Sequence, residues 1–114
     1  MPINPVLAVD VAIIGAGPAG LMAAEVLSAA DVAVHVFDAM PSVGRKFLLA
    51  GKGGLNLTHA EPFDRFVTRY GAAQGRVEPW LRDWGPQQVR DWAAGLGIDT
   101  FVGTSQRVFP AGMK

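Results

Sequence analysis

The chain has 114 residues, half of them hydrophobic, and its ten basic and ten acidic side chains give a formal net charge of zero. This length fits one globular domain and excludes a second full domain. Balanced charge without a run of one sign provides no basic surface for nucleic acid or for an anionic membrane. We therefore expect a small-molecule substrate and neither of those partners, and no residue pattern indicates a protein partner.

Cysteine is absent, which excludes disulfides, thiolate metal sites and a CxxC redox pair within these residues. Two distant histidines and scattered carboxylates lack the spacing of metal ligands, so no metal site is predicted. The first ten residues, MPINPVLAVD, contain no basic side chain, and Asp10 interrupts their apolar run. They predict neither a signal peptide nor a membrane span, and we expect a cytoplasmic protein.

Residues 9–38 predict a strand, a helix and a second strand. The apolar, β-branched run at 9–14 ends at glycine and is typical of a strand buried on both faces of a parallel sheet. Residues 18–30 are rich in helix formers and begin with proline. Asp31 stands where glycine usually ends a helix, and aspartate tolerates the left-handed conformation better than most residues. With the strand at 32–37, the segment forms one right-handed βαβ unit of an α/β fold.

The remaining elements are less regular. Residues 40–58 are glycine-rich with little periodicity and predict an ordered loop, with one helical turn near 46–50. Residues 62–97 predict helical segments, and residues 100–109 a strand or a small hairpin. The helical segments are expected at 62–70, 80–84 and 87–96.

The sequence GAGPAG matches the pattern G-x-G-x-x-G at the junction of the first strand and the first helix. Gly15 permits the tight turn, Gly17 lets the backbone approach a pyrophosphate, and Gly20 lets the helix pack closely on the strand. The helix N-terminus offers free N–H groups to phosphates. Asp38 follows eighteen residues after Gly20 at the end of the second strand, where a carboxylate binds ribose hydroxyls. These features predict a Rossmann-like dinucleotide site.

The same residues only partly determine which nucleotide the site binds. An acid at position 38 disfavours the ribose 2′-phosphate of NADP, whereas FAD and NAD both present a free ribose diol. A long glycine-rich loop at 41–61 is unexpected for a simple NAD dehydrogenase, whose next element should be a crossover helix. Such a loop suits backbone and basic side chains that follow an extended cofactor, which favours FAD.

The sequence resembles the HI0933-like bacterial flavoproteins, a family of FAD-dependent oxidoreductases with two dinucleotide-binding folds. GAGPAG carries the general flavoprotein resemblance, and VGRKFLLAGKGGLNLT with QRVFPAGMK carries the specific one, which spans essentially the whole chain. Many members read GGGRCNxT where this chain reads GKGGLNLT, so Gly54 and Leu55 replace an Arg-Cys pair. No thiol or guanidinium role is carried over to these two positions.

The resemblance implies an FAD site distributed along the chain. It implies that Gly15, Gly17, Ala19 and Gly20 wrap the pyrophosphate, that Asp38 binds the adenosine ribose, that Arg45 and Lys46 lie along the ribose and pyrophosphate, and that Gly53, Gly54, Asn56 and Thr58 line the cofactor toward its flavin. No catalytic acid or base is identified, because the cofactor itself performs the redox chemistry.

The resemblance also implies that residues 1–114 form the N-terminal part of a longer flavoprotein. The rest of the FAD domain and the substrate domain would lie outside them, and we expect these residues alone to be inactive. The expected function is hydride transfer through FAD to or from a small molecule, with NAD(P)H as a candidate co-substrate. The alternatives are an NAD-binding module or dehydrogenase without flavin, and a flavoprotein that modifies tRNA.

Several side chains admit both a functional and a structural interpretation, and we favour the structural one. Lys52 could stabilise a reduced flavin but is more simply a solvated loop lysine. His59 could act as an acid or base but is more simply a surface histidine. Trp80, Trp84 and Trp92 could form a stacking platform, whereas core packing of short helices is the expected role.

Overall fold

The computed structural model describes residue 6 and residues 8–51 and 54–112. Contacts between Cα atoms divide the chain into two compact units, Met1–Ala50 (unit 1) and Gly51–Lys114 (unit 2). The sequence predicts one domain and does not reveal this boundary. No helix within the described residues is long and apolar enough to cross a membrane.

Unit 1 contains a parallel βαβ arrangement. Its elements are β1 Val11–Ile14, α1 Pro18–Ala29, β2 Val34–Phe37 and the short helix α2 Arg45–Leu49. Strands β1 and β2 pair in parallel, with Val11 opposite Val34 and Ile14 opposite Phe37, and α1 packs against both strands. The α/β fold class predicted from the sequence is confirmed.

The end of α1 explains why β2 starts later than expected. Asp31 adopts φ 61°, the left-handed conformation that the sequence predicts for it. Its N–H donates to the Ser28 carbonyl at 3.1 Å, and the N–H of Val32 donates to the Leu27 carbonyl at 3.0 Å. These two bonds form a Schellman motif, which satisfies the last carbonyls of the helix. Because the N–H of Val32 is bonded to the last turn of α1, the strand begins only at Val34.

One face of the parallel pair is open in the described residues. Burial alternates along β1 and β2, and the side chain of Ile14 is 82% exposed. The prediction that the first strand is buried on both faces is therefore wrong for this chain. The physical reason is that α1 packs on one face of the pair, and a two-stranded sheet needs a second layer to bury the other face.

Unit 2 combines short helices with a small antiparallel sheet. Its elements are β3 Thr58–His59, α3 Phe63–Phe66, a 3₁₀ segment Val67–Ala73, α4 Gln74–Asp83, α5 Pro86–Gly95, β4 Thr100–Val102 and β5 Arg107–Pro110. The strand order is β3-β5-β4. Strands β4 and β5 form the hairpin expected at 100–109, with Val102 opposite Val108. Strand β3 pairs with β5 and begins inside the segment predicted as a loop.

The helices of unit 2 differ from their predicted extents. The helix expected at 62–70 changes to 3₁₀ geometry after Phe66, and α4 begins at Gln74 instead of near Trp80. The core of unit 2 is formed by smaller side chains, among them Val67, Ala93 and Val108. The expected core role is therefore wrong for two tryptophans: Trp80 is 64% exposed and Trp84 is 44% exposed.

Candidate functional site

The loop between β1 and α1 leaves the strand through a turn that requires glycine. Gly15 has φ 104°, which side-chain-bearing residues rarely adopt. Its N–H donates to the carbonyl of Phe37 at 2.7 Å, so the turn is joined to the end of β2. The next residue, Ala16, is only 1% exposed. The main chain of the loop is thus held close to both strands.

Gly20 is required by packing within the chain. A Cβ atom on Gly20 would overlap the carbonyl oxygen of Gly15 and would lie 3.2 Å from Cγ2 of Ile13. The absence of a side chain therefore allows α1 to lie close to the start of the loop and to β1. This is the packing role that the sequence predicts for the third glycine of the motif.

Gly17 is required by neither backbone conformation nor packing. Its φ of −83° and ψ of −174° are extended values that any residue adopts. Apart from the two residues next to it in the chain, a Cβ atom on Gly17 would find no atom of the described residues within 4 Å. The space beside Gly17 is open, and a side chain there would occupy it. A glycine that the chain itself does not need is consistent with the close approach of a bound group.

The same position is the uncapped N-terminus of α1. Gly17 is the N-cap residue and supplies no side-chain hydrogen bond, and Pro18 at the first helical position has no N–H. The N–H groups of Ala19 and Gly20 fall in the first turn, where no intrahelical carbonyl accepts them. Free N–H groups and the positive end of the helix dipole favour an anion at this point.

Asp38 holds the loop through both of its carboxylate oxygens. Oδ2 accepts the N–H of Ala16 at 2.8 Å, and Oδ1 accepts the N–H of Met40 at 2.7 Å. The bond from Met40, then that from Ala16, and then the nearby charge of Arg45 lower the pKa of Asp38 below its ordinary value. The carboxylate is therefore ionised at neutral pH, and each oxygen keeps a further lone pair for a ribose hydroxyl.

The basic pair follows a second glycine that contacts the same loop. Gly44 has φ 64° and donates its N–H to the carbonyl of Ala16 at 2.7 Å. Arg45 and Lys46 are the next two residues, and both are exposed at the start of α2. Unit 1 thus brings together the glycine loop, Asp38 and the basic pair, as the sequence predicts for a nucleotide site.

The expected flavin-side residues belong to unit 2. Gly54 has φ 151°, and its N–H donates to the carbonyl of Gly51 at 3.1 Å. Asn56 and Thr58 line one cavity of about 380 Å³, whose wall includes the aromatic ring of Trp84. Gly53 and the candidate Lys52 lie outside the described residues. The roles of these residues toward a flavin stay predictions.

Sequence reasoning missed one contributor, Ala16, because it acts through its main chain. Ala16 donates its N–H to Asp38 and accepts the N–H of Gly44, so it joins three segments of unit 1. The only signal in the sequence was its position between Gly15 and Gly17. Across residues 6, 8–51 and 54–112, no group of three or more histidines and carboxylates could hold a metal ion.

The comparison with protein families gives one match. A family model described as the HI0933-like protein Rossmann domain matches residues 9–114, from the approach to β1 to the end of the chain. The glycine loop, Asp38 and the basic pair all fall within the matched residues. No curated protein matches the chain.

Proposed function

Because the chain belongs to the HI0933-like Rossmann-domain family, we propose that it forms the FAD-binding part of a flavin-dependent oxidoreductase. The observation that carries the proposal is Gly17, a glycine that neither backbone geometry nor packing requires. It stands at a helix N-terminus without a side-chain cap, where an anion is favoured. A phosphate group of a dinucleotide explains both features.

The described residues of unit 1 fit the phosphate and ribose parts of a dinucleotide. The N–H groups of Ala19 and Gly20 would bind phosphate oxygens, and Gly17 would leave room for them. The ionised Asp38 would accept hydrogen bonds from the ribose diol. Arg45 and Lys46 would offset the negative charge of the pyrophosphate.

The choice of FAD depends on unit 2 and on the resemblance, because the contacts of unit 1 serve NAD equally well. The segment GKGGLNLT resembles the cofactor loop of the family, and Asn56 and Thr58 line a cavity with an aromatic wall. Bound FAD would supply hydride transfer to or from a small-molecule substrate, with NAD(P)H as a candidate partner. A cytoplasmic location belongs to the same proposal.

The proposed enzyme needs more covering layers than unit 1 itself provides. Ile14 and Val26 are large apolar side chains with most of their surface exposed. Exposed apolar side chains on β1 and on α1 support the expectation that residues 1–114 act as part of a longer flavoprotein. We expect these residues alone to hold FAD weakly or not at all.

The deciding experiment is a visible absorption spectrum of the full-length protein as purified. Heat-released small molecules are then identified by chromatography. Flavin absorption bands and released FAD would support the proposal. A colourless protein that cannot be reconstituted with FAD would contradict it and would favour an NAD-binding module.

A further inference from the structure

Unit 2 contains a second cavity, which shares His59, Leu81 and Pro86 with the smaller one. Its volume is about 480 Å³, which lies within the ~300–1,000 Å³ range of small-molecule sites. The residues at its wall come from the end of β3 and the segment that leads into α3, from the end of α4 and from the first part of α5. His59, Glu61, Phe63, Leu81, Gln88 and Arg90 are the ones that decide its chemistry.

The one acidic side chain at this wall is already neutralised. Nε of Arg69 donates to Oε1 of Glu61 at 3.0 Å, and Nη2 donates to Oε2 at 2.9 Å. The side chain of Glu61 is only 8% exposed. This two-pronged bond is the main reason why the pKa of Glu61 is lowered. Glu61 therefore offers a ligand neither a free charge nor an unsatisfied pair of oxygens.

The positive side chains at the wall are not neutralised to the same extent. Arg82 pairs with Glu78 at 2.8 Å. Arg90 donates from Nε to the hydroxyl of Thr100 at 3.0 Å, a neutral partner. No carboxylate among the described residues pairs with Arg90. Among the described residues at the wall, Arg90 is consequently a positive charge without a carboxylate partner.

Three side chains at the wall offer hydrogen-bond donors: Arg90, Gln88 and His59. Because Nε of Arg90 serves Thr100, its two terminal amino groups remain and form a planar fork. Oε1 of Gln88 accepts the N–H of Gly85 at 2.9 Å, so its amide NH₂ remains a donor. Nδ1 of His59 accepts the N–H of Glu61 at 3.2 Å, which puts the proton of the neutral ring on Nε2. A ligand that satisfies these groups must bring acceptors.

Apolar groups complete the cavity wall. Phe63 and Leu81 present hydrocarbon surface, and the guanidinium carbon of Arg82 lies 5.4 Å from the centre of the Phe63 ring. We propose that this cavity binds a small organic carboxylate. The carboxylate pairs with the fork of Arg90, assisted by His59 and Gln88, and the hydrocarbon part of the ligand lies against Phe63 and Leu81. A planar guanidinium matches a carboxylate in a two-pronged bond better than any other side chain does.

This inference goes beyond the proposed function and does not depend on FAD. His59 and Leu81 also line the smaller cavity beside Asn56 and Thr58, whereas Arg90, Gln88 and Phe63 line only the larger one. A protein that binds no flavin would still present the cavity, and failure of either proposal leaves the other standing.

The test is calorimetric titration of the full-length protein with three probes. Benzoate has both the carboxylate and the hydrocarbon part, benzyl alcohol lacks the charge, and inorganic phosphate lacks the hydrocarbon. We expect benzoate to bind at least about tenfold more tightly than either of the others. Benzyl alcohol cannot form the charge-assisted hydrogen bonds to Arg90, and phosphate cannot bury hydrocarbon surface against Phe63 and Leu81. Benzoate that does not bind, or phosphate that binds as tightly, would overturn the proposal.

Two substitutions assign the binding to this cavity. Arg90→Gln removes the charge and should weaken benzoate binding at least about tenfold. Arg76→Gln makes the same change of net charge on the exposed surface of α4, away from the cavity wall, and should leave the affinity unchanged. Equal affinity in the Arg90 and Arg76 variants would overturn the proposal.

A third variant covers the case in which Arg90→Gln unfolds the protein. Arg90→Lys keeps the positive charge but removes the planar fork, so we expect folded protein with intermediate affinity for benzoate. Wild-type affinity in the folded Arg90→Lys variant would show that the fork of Arg90 does not hold the carboxylate.

Discussion

Unit 1 and unit 2 build their candidate sites from different parts of the polypeptide. In unit 1 the N–H groups proposed to hold the phosphates belong to the main chain, and their arrangement depends on residues that lack a side chain or fix the backbone. In unit 2 the groups at the larger cavity are side chains. Ion pairs such as Glu61–Arg69 decide which of their charges are available to a ligand. A main-chain site can be predicted from a local sequence motif. A cavity lined by side chains depends on residues that only folding brings together.

If the main chain forms the site in unit 1, different glycine substitutions should affect protein stability and cofactor binding separately. The largest effect is expected for Gly20→Ala, because the added Cβ atom would overlap the carbonyl oxygen of Gly15. Relief of such an overlap moves α1 away from β1 and costs roughly 1–3 kcal/mol of unfolding free energy. Urea denaturation of the full-length protein measures this loss. An unchanged midpoint would show that the close approach of α1 and β1 contributes little to stability.

Gly17→Ala is the matched substitution in the same loop. Its Cβ atom enters open space at an ordinary φ, so we expect the unfolding free energy to change by less than about 0.5 kcal/mol. The same methyl group would occupy the place of a phosphate, and FAD affinity should fall at least about tenfold. The loss of FAD affinity is measured as the fraction of flavin that stays with the protein after gel filtration. A variant that keeps FAD as well as the wild type would contradict the proposed phosphate position.

Asp38→Asn tests how the loop depends on a side chain. The amide has one acceptor oxygen for two N–H donors, so either Ala16 or Met40 loses its partner. We expect FAD affinity to fall about tenfold, with a lower denaturation midpoint. If the variant kept both the FAD affinity and the denaturation midpoint of the wild type, Asp38 would neither bind the ribose nor hold the loop.

The lowered pKa of Asp38 predicts how the stability difference between wild type and Asp38→Asn changes with pH. Since the pKa of Asp38 is lowered in the folded protein, its stabilising effect is full above the unfolded pKa. The effect is lost as the pH falls through the folded pKa. The difference in denaturation midpoint between wild type and Asp38→Asn should therefore be constant near neutral pH and disappear in acid. A difference that grows in acid would contradict this assignment.

The smallest effect is expected from the ion pairs of unit 2. Arg69→Gln removes the partner of the nearly buried Glu61, and the pKa of Glu61 should rise toward its ordinary value. Arg82→Gln breaks the more exposed pair with Glu78 within one helix and serves as the comparison. The melting temperature should fall more for Arg69→Gln. Equal melting temperatures would show that burial of Glu61 adds nothing to its pair.

Local chemistry made much of unit 1 predictable. Pro18 marked the start of α1, Gly20 marked its close packing, and Asp31 marked its left-handed end, because each acts on its immediate neighbours. The start of α4 at Gln74 and the exposure of Trp80 depend on tertiary packing, which no local pattern records. The bonds of Ala16 were unpredictable for the same reason, since its partners lie in distant segments of the chain.

The two bonds of Asp38 have a consequence for attempts to change the cofactor preference of this protein. Acceptance of a phosphorylated ribose is normally engineered by exchanging the acidic residue for a neutral or basic one. Here the exchange would also remove the acceptors of Ala16 and Met40, and the loop between β1 and α1 would lose its support. In the proposed function one carboxylate would set both the cofactor preference and the loop geometry, so a redesigned protein would need a second substitution that supplies a new acceptor for Ala16.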